Sequence, residues 1–214
     1  GYMYVCIKGM HLDGHDFISE AVKNGALLTG EMPEFFDACP CKIIAVTGSD
    51  GKTTTTTLIA KLLEASGKRV FLGGNIGRPL LPVVDSIYKG DFAVVELSSF
   101  QLMTMRRSPD VAVITNVTPN HLNWHTDMDE YIDSKLNVLR YQGKNSLAVL
   151  NYENDVTRKA GDDVNGKCIF FTSKRVPGDC NGFVYEKNGS IYFEDTKVID
   201  TSDIILPGRH NVEN

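Results

Sequence analysis

Short apolar runs that do not alternate with polar residues recur along most of the chain, at 43–46, 70–72, 92–97, 111–117, 147–150 and 168–171. An uninterrupted run of this length suits a strand covered on both faces. Between several of them lie 53–66, 79–88, 99–106 and 128–142, where apolar residues return at helical spacing. Alternating strands and helices predict an α/β fold, a mostly parallel sheet with helices on both faces, because right-handed crossovers put them there. Ligands of such sheets bind beyond the carboxyl ends of the strands.

Two regions break that rhythm. Residues 1–38 offer a strand at 4–7, a helix at 16–24 closed by Gly25, and a strand at 26–28. These elements cannot enclose a core alone, so 1–38 is read as the remnant of an N-terminal domain, with 32–40 crossing into a central domain over 39–214. Near the other end, Phe183-Val184-Tyr185 and Ile191-Tyr192-Phe193 flank Lys187-Asn188-Gly189-Ser190, a hairpin signal that predicts a small antiparallel appendage.

Composition narrows the function. The 214 residues are 42% hydrophobic and 23% charged, enough apolar material for one core, and the net charge of −5 gives no basic footprint for nucleic acid or an anionic membrane. No apolar run is long enough to span a bilayer. We therefore expect a cytoplasmic, monomeric protein. Cys6, Cys39, Cys41, Cys168 and Cys180 are an odd, scattered set. Cys39-Pro40-Cys41 is too short for a zinc knuckle and has no second pair, so free thiols are expected rather than a redox pair. The chain opens at Gly1 and closes at Gly208-Arg209-His210-Asn211-Val212-Glu213-Asn214, a polar turn entering a helix, and we expect it to be part of a longer enzyme.

The first candidate site follows the run at 43–46. Thr47-Gly48-Ser49-Asp50-Gly51-Lys52-Thr53-Thr54 leads into helix-period residues, the strand–glycine-loop–helix layout of a P-loop. Gly48 and Gly51 let the backbone turn its N–H groups inward, Lys52 supplies a full charge, and the Thr53 hydroxyl suits magnesium. The usual motif has glycine six residues before the lysine, where this chain has Val46; an ordinary βα turn is the competing reading. Five threonines, Thr53 to Thr57, are poor helix-interior residues placed in the first turns, which favours phosphate binding.

Other polar groups fall at the ends of the apolar runs. Glu96 ends one and suits a magnesium ligand, a helix cap or the sheet rim. His121, after 111–117, suits a metal ligand, a substrate contact or a loop hydrogen bond, and His125 a structural role. Lys135 shares a helical face with Tyr131, Ile132, Leu136 and Leu139, so it must snorkel, pair or lose its charge, and a neutral amine could add carbon dioxide to become a carbamate. The loop Gly73-Gly74-Asn75-Ile76-Gly77-Arg78-Pro79 suits close approach to a ligand or a plain turn.

Together these residues resemble the Mur ligases, ATP-dependent amide-forming enzymes of peptidoglycan assembly. Thr47–Thr54 resembles their phosphate loop, Glu96 their magnesium glutamate, His121 their histidine after the fourth strand and Lys135 their carbamylated lysine. Gly74-Asn75-Ile76-Gly77, Glu96-Leu97-Ser98-Ser99-Phe100-Gln101-Leu102 and Leu206-Pro207-Gly208-Arg209-His210-Asn211 resemble the branch that adds D-glutamate, whereas Asp13-Gly14-His15-Asp16-Phe17-Ile18 resembles the branch adding the third residue. The resemblance implies ATP and Mg2+ as cofactors, with UDP-N-acetylmuramoyl-L-alanine and D-glutamate joined through an acyl phosphate. It implies catalytic roles for Lys52, Glu96, His121 and Lys135, and metal contacts from Thr53, Glu96, His121 and carbamylated Lys135. Gly48, Ser49, Asp50, Gly51, Lys52, Thr53, Thr54, Asn211 and Asn214 would bind ATP, and Asn75, Ser98 and Gln101 the muramoyl substrate. Asn120 and Asn123 stand where the family often has Asp. The family's C-terminal domain, which supplies the D-glutamate site, has no counterpart in this sequence, so this chain alone is expected to be inactive. A folylpolyglutamate-type ligase, a P-loop kinase and a non-catalytic nucleotide-binding module are the alternatives.

Overall fold

The computed structural model describes residues 3–6, 14–119, 126–174, 178–179 and 181–214. In chain order these form β1 (Met3–Cys6), α1 (Ile18–Lys23), β2 (Leu27–Gly30), α2 (Glu31–Ala38), β3 (Lys42–Thr47), α3 (Lys52–Ala65), β4 (Val70–Gly74), β5 (Phe92–Glu96), α4 (Ser99–Met103) and β6 (Val111–Ile114). They continue as α5 (Met128–Arg140), β7 (Leu147–Asn151), α6 (Asp155–Ala160), β8 (Lys167–Thr172), β9 (Phe183–Lys187), β10 (Ser190–Phe193), β11 (Thr196–Asp200) and α7 (His210–Glu213).

The main sheet has nine strands in the order β11-β10-β9-β8-β7-β6-β3-β5-β4, and β1 pairs with β2 in a separate parallel ribbon. From β4 to β9 every pairing is parallel. The strands there are buried on both faces: Ala45, Val46, Ala93, Val94, Val95, Ala112, Ile114, Ala148 and Leu150 are fully enclosed or nearly so. Order and sequence part company at β3. The chain leaves β3 for β4 at the edge, returns through β5 beside β3, and then lays β6 on the other flank. The carboxyl end of β3 is thus the topological switch point where a sheet of this type opens a crevice.

Three expectations are revised. Residues 32–40 are not an irregular crossing: α2 occupies most of them and sends Met32, Phe35 and Phe36 into the main core. Pro33 sits in its first turn, where an N–H would find no intrahelical acceptor, and Glu31 and Glu34 lie at the positive end of the helix. The helix expected over 79–88 is a short 3-10 segment, Leu81–Ser86. Pro82 removes a donor there, and the Glu31 carboxylate accepts the N–H groups of Leu80 and Leu81 at 2.6 and 3.2 Å. The antiparallel hairpin β9–β10 turns at Asn188-Gly189, both at positive φ, as the Asn-Gly pair requires. It is not detached, however. β9 pairs with β8 and β11 adds to β10, so the appendage is the antiparallel end of the main sheet. Ile7, His121 and His125 lie outside the described residues.

Phe35→Ala tests whether α2 belongs to this core. Loss of a fully buried phenyl ring is expected to destabilise the chain by about 3–5 kcal/mol in urea unfolding. A loss below about 1 kcal/mol would mean the helix is only loosely attached.

Candidate functional site

The residues at the carboxyl ends of β3, β5 and β6 meet around the loop 48–51. Gly48 and Gly51 have φ of 145° and 78°. A Cβ at Gly48 would lie 1.9 Å from Thr115 Oγ1 and 3.0 Å from the backbone O of Asn116, so Gly48 is required for space as well as for backbone angle. Gly51, beside the movable end of the Asn214 side chain, is required for its backbone angle. The loop's carbonyls all turn back into the protein. Gly48 O accepts from Lys135 Nζ at 2.8 Å, Ser49 O from Lys52 Nζ at 2.9 Å and Asp50 O from Thr115 Oγ1 at 2.6 Å. Asn116 holds the loop from the other side. Its Oδ1 accepts the N–H groups of Ser49 and Asp50 at 3.1 and 2.9 Å, and its backbone carbonyl accepts Ser49 N–H at 2.9 Å. The free direction is forward. The N–H groups of Lys52, Thr53 and Thr54 open α3 with no carbonyl a turn earlier in the helix, which makes an anion site at the positive end of fourteen helical residues.

Glu96 ends β5 beside this helix start and is only 1% exposed. Its Oε2 accepts from Thr53 Oγ1 at 2.7 Å and its Oε1 from Asn75 Nδ2 at 2.9 Å. The ion pairs among the described residues do not include it. A buried carboxylate held by two neutral donors is under-compensated. A carboxylate and a hydroxyl side by side are hard oxygen donors of the kind magnesium takes, so the residues present fit that ion. Among the described residues no cluster of three or more His, Cys, Asp or Glu could hold a metal by itself.

Lys135 reaches the loop from α5 and is 2% exposed. Burial, and secondarily the positive charge of Lys52, lower its ammonium to about 8, while Asp50 opposes the shift. Its Nζ lies 4.7 Å from the centre of the Tyr131 ring, and the Tyr131 hydroxyl meets Ser49 Oγ at 3.0 Å. Of the sequence-stated choices, the lysine neither snorkels nor pairs with a carboxylate; it donates to a backbone carbonyl and loses much of its preference for the charged form.

The structure therefore brings together Gly48, Ser49, Asp50, Gly51, Lys52, Thr53, Thr54, Asn75, Glu96 and Lys135. Asn214 joins them beside Gly51, and its Nδ2 donates to Asn211 Oδ1 at 3.2 Å. Ser98 and Gln101 instead serve each other in a capping box at the start of α4, with Ser98 N–H donating to Gln101 Oε1 at 3.0 Å. His121 lies outside the described residues. The threonine run has a structural side too: Thr56 Oγ1 donates back to Lys52 O at 2.7 Å, while Thr55 Oγ1 is buried with no partner among the described residues. Thr115 and Asn116 were not singled out from the sequence; they are polar groups at the end of β6, and the pairing of β6 with β3 makes them neighbours of the loop. Tyr131, read only as a companion of Lys135 on α5, also meets the loop at Ser49.

Comparison with known proteins bears on the family and the fold. The Mur ligase middle domain matches residues 46–214. A UDP-N-acetylmuramoylalanine--D-glutamate ligase of Clostridium perfringens is 48% identical over 192 residues, 90% of this chain and 41% of that protein. The enzyme of the same name from Acetivibrio thermocellus is 46% identical over 210 residues, 96% of this chain and 44% of that protein. The chain thus spans less than half the length of these curated relatives. Among solved structures, MurF from Acinetobacter baumannii covers 98% of the chain and 53% of its own length at TM-score 0.63 and 20% identity. A UDP-N-acetylmuramate:L-alanyl-gamma-D-glutamyl-meso-diaminopimelate ligase from Neisseria meningitides covers 99% and 70% at TM-score 0.70 and 18% identity; at such identities the likeness is one of fold.

The buried amine makes stability depend on pH. The folded chain releases the Lys135 proton near pH 8 and the unfolded chain near 10.5, so between these values the unfolded state holds more protons and stability rises with pH. In carbon-dioxide-free buffer the rise attributable to Lys135 should approach about 3 kcal/mol by urea unfolding, and Lys135→Met should flatten it. An equal rise in the variant would remove the amine as its source.

Proposed function

The chain belongs to the Mur ligase family, and on that premise we propose that it is the nucleotide-binding centre of an ATP-dependent ligase joining D-glutamate to UDP-N-acetylmuramoyl-L-alanine. The names of its 46–48% identical relatives support that pair of substrates. The observation that carries the reading is the convergence of Lys52, Thr53, Glu96 and Lys135 on one glycine loop at the switch point of the sheet.

In this reading the N–H groups opening α3 and the Lys52 ammonium hold the β- and γ-phosphates of ATP. Lys52 leaves Ser49 O to do so, exchanging a backbone acceptor for a phosphate oxygen. Thr53 and Glu96 would hold magnesium, with His121 and a carbamylated Lys135 as its further support, and the ion would supply charge compensation for the transferring phosphoryl group. Asn75 keeps Glu96 oriented through its amide, and Asn75, Ser98 and Gln101 line the side from which the muramoyl-alanine arrives. The alanyl carboxylate oxygen bonds to the γ-phosphorus as the bridging P–O bond to ADP breaks. The amine of D-glutamate then bonds to the acyl carbon, inorganic phosphate leaves, and the amine proton passes to solvent or a base. Asn214, beside Gly51, and Asn211 face the adenosine.

The lowered Lys135 amine supports the carbamate. With its ammonium near 8, about a quarter of the side chain is neutral at pH 7.5, against about 0.1% at 10.5. We further propose that residues 1–38 are the remnant of a UDP-substrate domain, its last helix α2 packed against the central domain, 39–214. No helix of the described residues is long and apolar enough to cross a membrane; we propose a cytoplasmic monomer without nucleic-acid partners.

The test uses the protein carrying this chain together with the remaining regions its relatives possess. ADP release should require UDP-N-acetylmuramoyl-L-alanine, give a hydroxylamine-trappable acyl phosphate, and be completed by D-glutamate from a panel of amino acids. Glu96→Gln should lower turnover about 10²–10³-fold. A stable phosphorylated product, selection of another amino acid, or full turnover by the Glu96 variant would overturn the assignment.

A further inference from the structure

The amino end of β3 carries a second chemical feature, on the side of the sheet away from Lys52. The Sγ atoms of Cys39 and Cys41 lie 3.5 Å apart, in direct contact. Two features of the backbone hold them there. Cys39 closes α2, its N–H donating to Phe35 O at 2.8 Å, and Pro40 between the thiols has no N–H to give and a fixed φ. The end of α2 is itself tied down, since Arg107 Nη1 donates to Phe36 O at 3.2 Å and to Asp37 Oδ1 at 3.1 Å. The two thiols also differ in access. Cys41 is 7% exposed and belongs to the core, whereas Cys39 is partly exposed between the exposed residues Ala38 and Pro40.

Both thiols are free in the structure, as the spacing alone suggested. On their contact we nevertheless propose, against the expectation from sequence, that Cys39 and Cys41 form a reversible thiol–disulfide site, closed by exchange with a low-molecular-weight disulfide such as oxidised glutathione. The Cys39 thiolate attacks one sulfur of that disulfide, forming a mixed disulfide and expelling one thiolate, which takes up a proton. Cys41 then gives up its proton and attacks Cys39 Sγ, forming the intrachain bond and expelling the second small thiolate. Two protein thiols are oxidised and one disulfide is reduced to two thiols. Closing the bond requires the sulfurs to approach by about 1.5 Å, to the usual length near 2.05 Å, and a ring of three residues is strained and therefore readily reopened.

The asymmetry of the pair fits this order of events. The hydrogen bond with Cys41 brings the Cys39 thiol down to about 7, and the same bond, with burial, raises Cys41. Once Cys39 is capped by glutathione its negative charge is gone, so the main cause that keeps Cys41 protonated is removed at the moment Cys41 must act. Cys168 provides an internal contrast, because burial raises its thiol to about 11.

The experiment maps disulfides and free thiols in the wild-type chain by mass spectrometry after equilibration in glutathione buffers. Oxidising buffer should link Cys39 to Cys41, reducing buffer should restore both thiols, and brief alkylation of the reduced chain at pH 7 should modify Cys39 about tenfold or more faster than Cys168. Cys41→Ser should trap glutathione on Cys39. Both thiols remaining free in oxidising buffer, glutathione remaining on wild-type Cys39 unresolved, or Cys39 linked to Cys6, Cys168 or Cys180 would overturn the proposal. The wild-type mapping decides the matter even if the variant does not fold, and neither result depends on the ligase reading.

Discussion

A backbone loop can offer its N–H groups to an anion only if its carbonyls are satisfied elsewhere, and this constraint governs the carboxyl end of β3. Three consecutive carbonyls, of Gly48, Ser49 and Asp50, are held by Lys135, Lys52 and Thr115. Each donor comes from a different element, α5, α3 and the end of β6. The loop therefore has its shape only when all three have docked, and the start of α3 faces outward as a consequence.

The same arrangement explains the burial of two charged side chain types that a stable core would ordinarily exclude. Lys135 and Glu96 are almost fully enclosed, and each is held by neutral partners. Burial of an ion without an opposite charge is unfavourable. It persists because the surrounding strands are apolar on both faces and over-determine the geometry. Such under-compensated groups at the rim of a parallel sheet are what a charged ligand completes.

The opposite end of β3 has a different character. There α2 delivers Met32, Phe35 and Phe36 to the core, and Glu31 at its first residue anchors the segment that follows the Asn75 loop. One helix thus steadies both the base of the central strand and the approach to the site. The two ends of a single strand thus set the glycine loop and the Cys39–Cys41 pair apart by the length of β3.

Much of this was legible in the chain itself. Uninterrupted apolar runs reveal the parallel strands because a strand covered on both faces has no polar side to display, and Gly48, Gly51 and Lys52 mark the loop because backbone geometry and charge there are local properties. Asn188-Gly189 marks its hairpin for the same reason. The sheet order, by contrast, rests on which runs become neighbours. Nothing local says that β6 lies beside β3 while β4 lies at the edge, and so nothing local says that Thr115 and Asn116 clamp the loop. The facing of Tyr131 and Lys135, four apart on α5, and the Ser98–Gln101 capping box, three apart, are by contrast local pairings. Residues 32–40 show as a crossing in the sequence, and only packing reveals that α2 there fills the core with Met32, Phe35 and Phe36. Residue chemistry and backbone preference are written along the chain; proximity between distant segments is decided only when the core closes, because burial of whole faces selects one pairing of strands over the others.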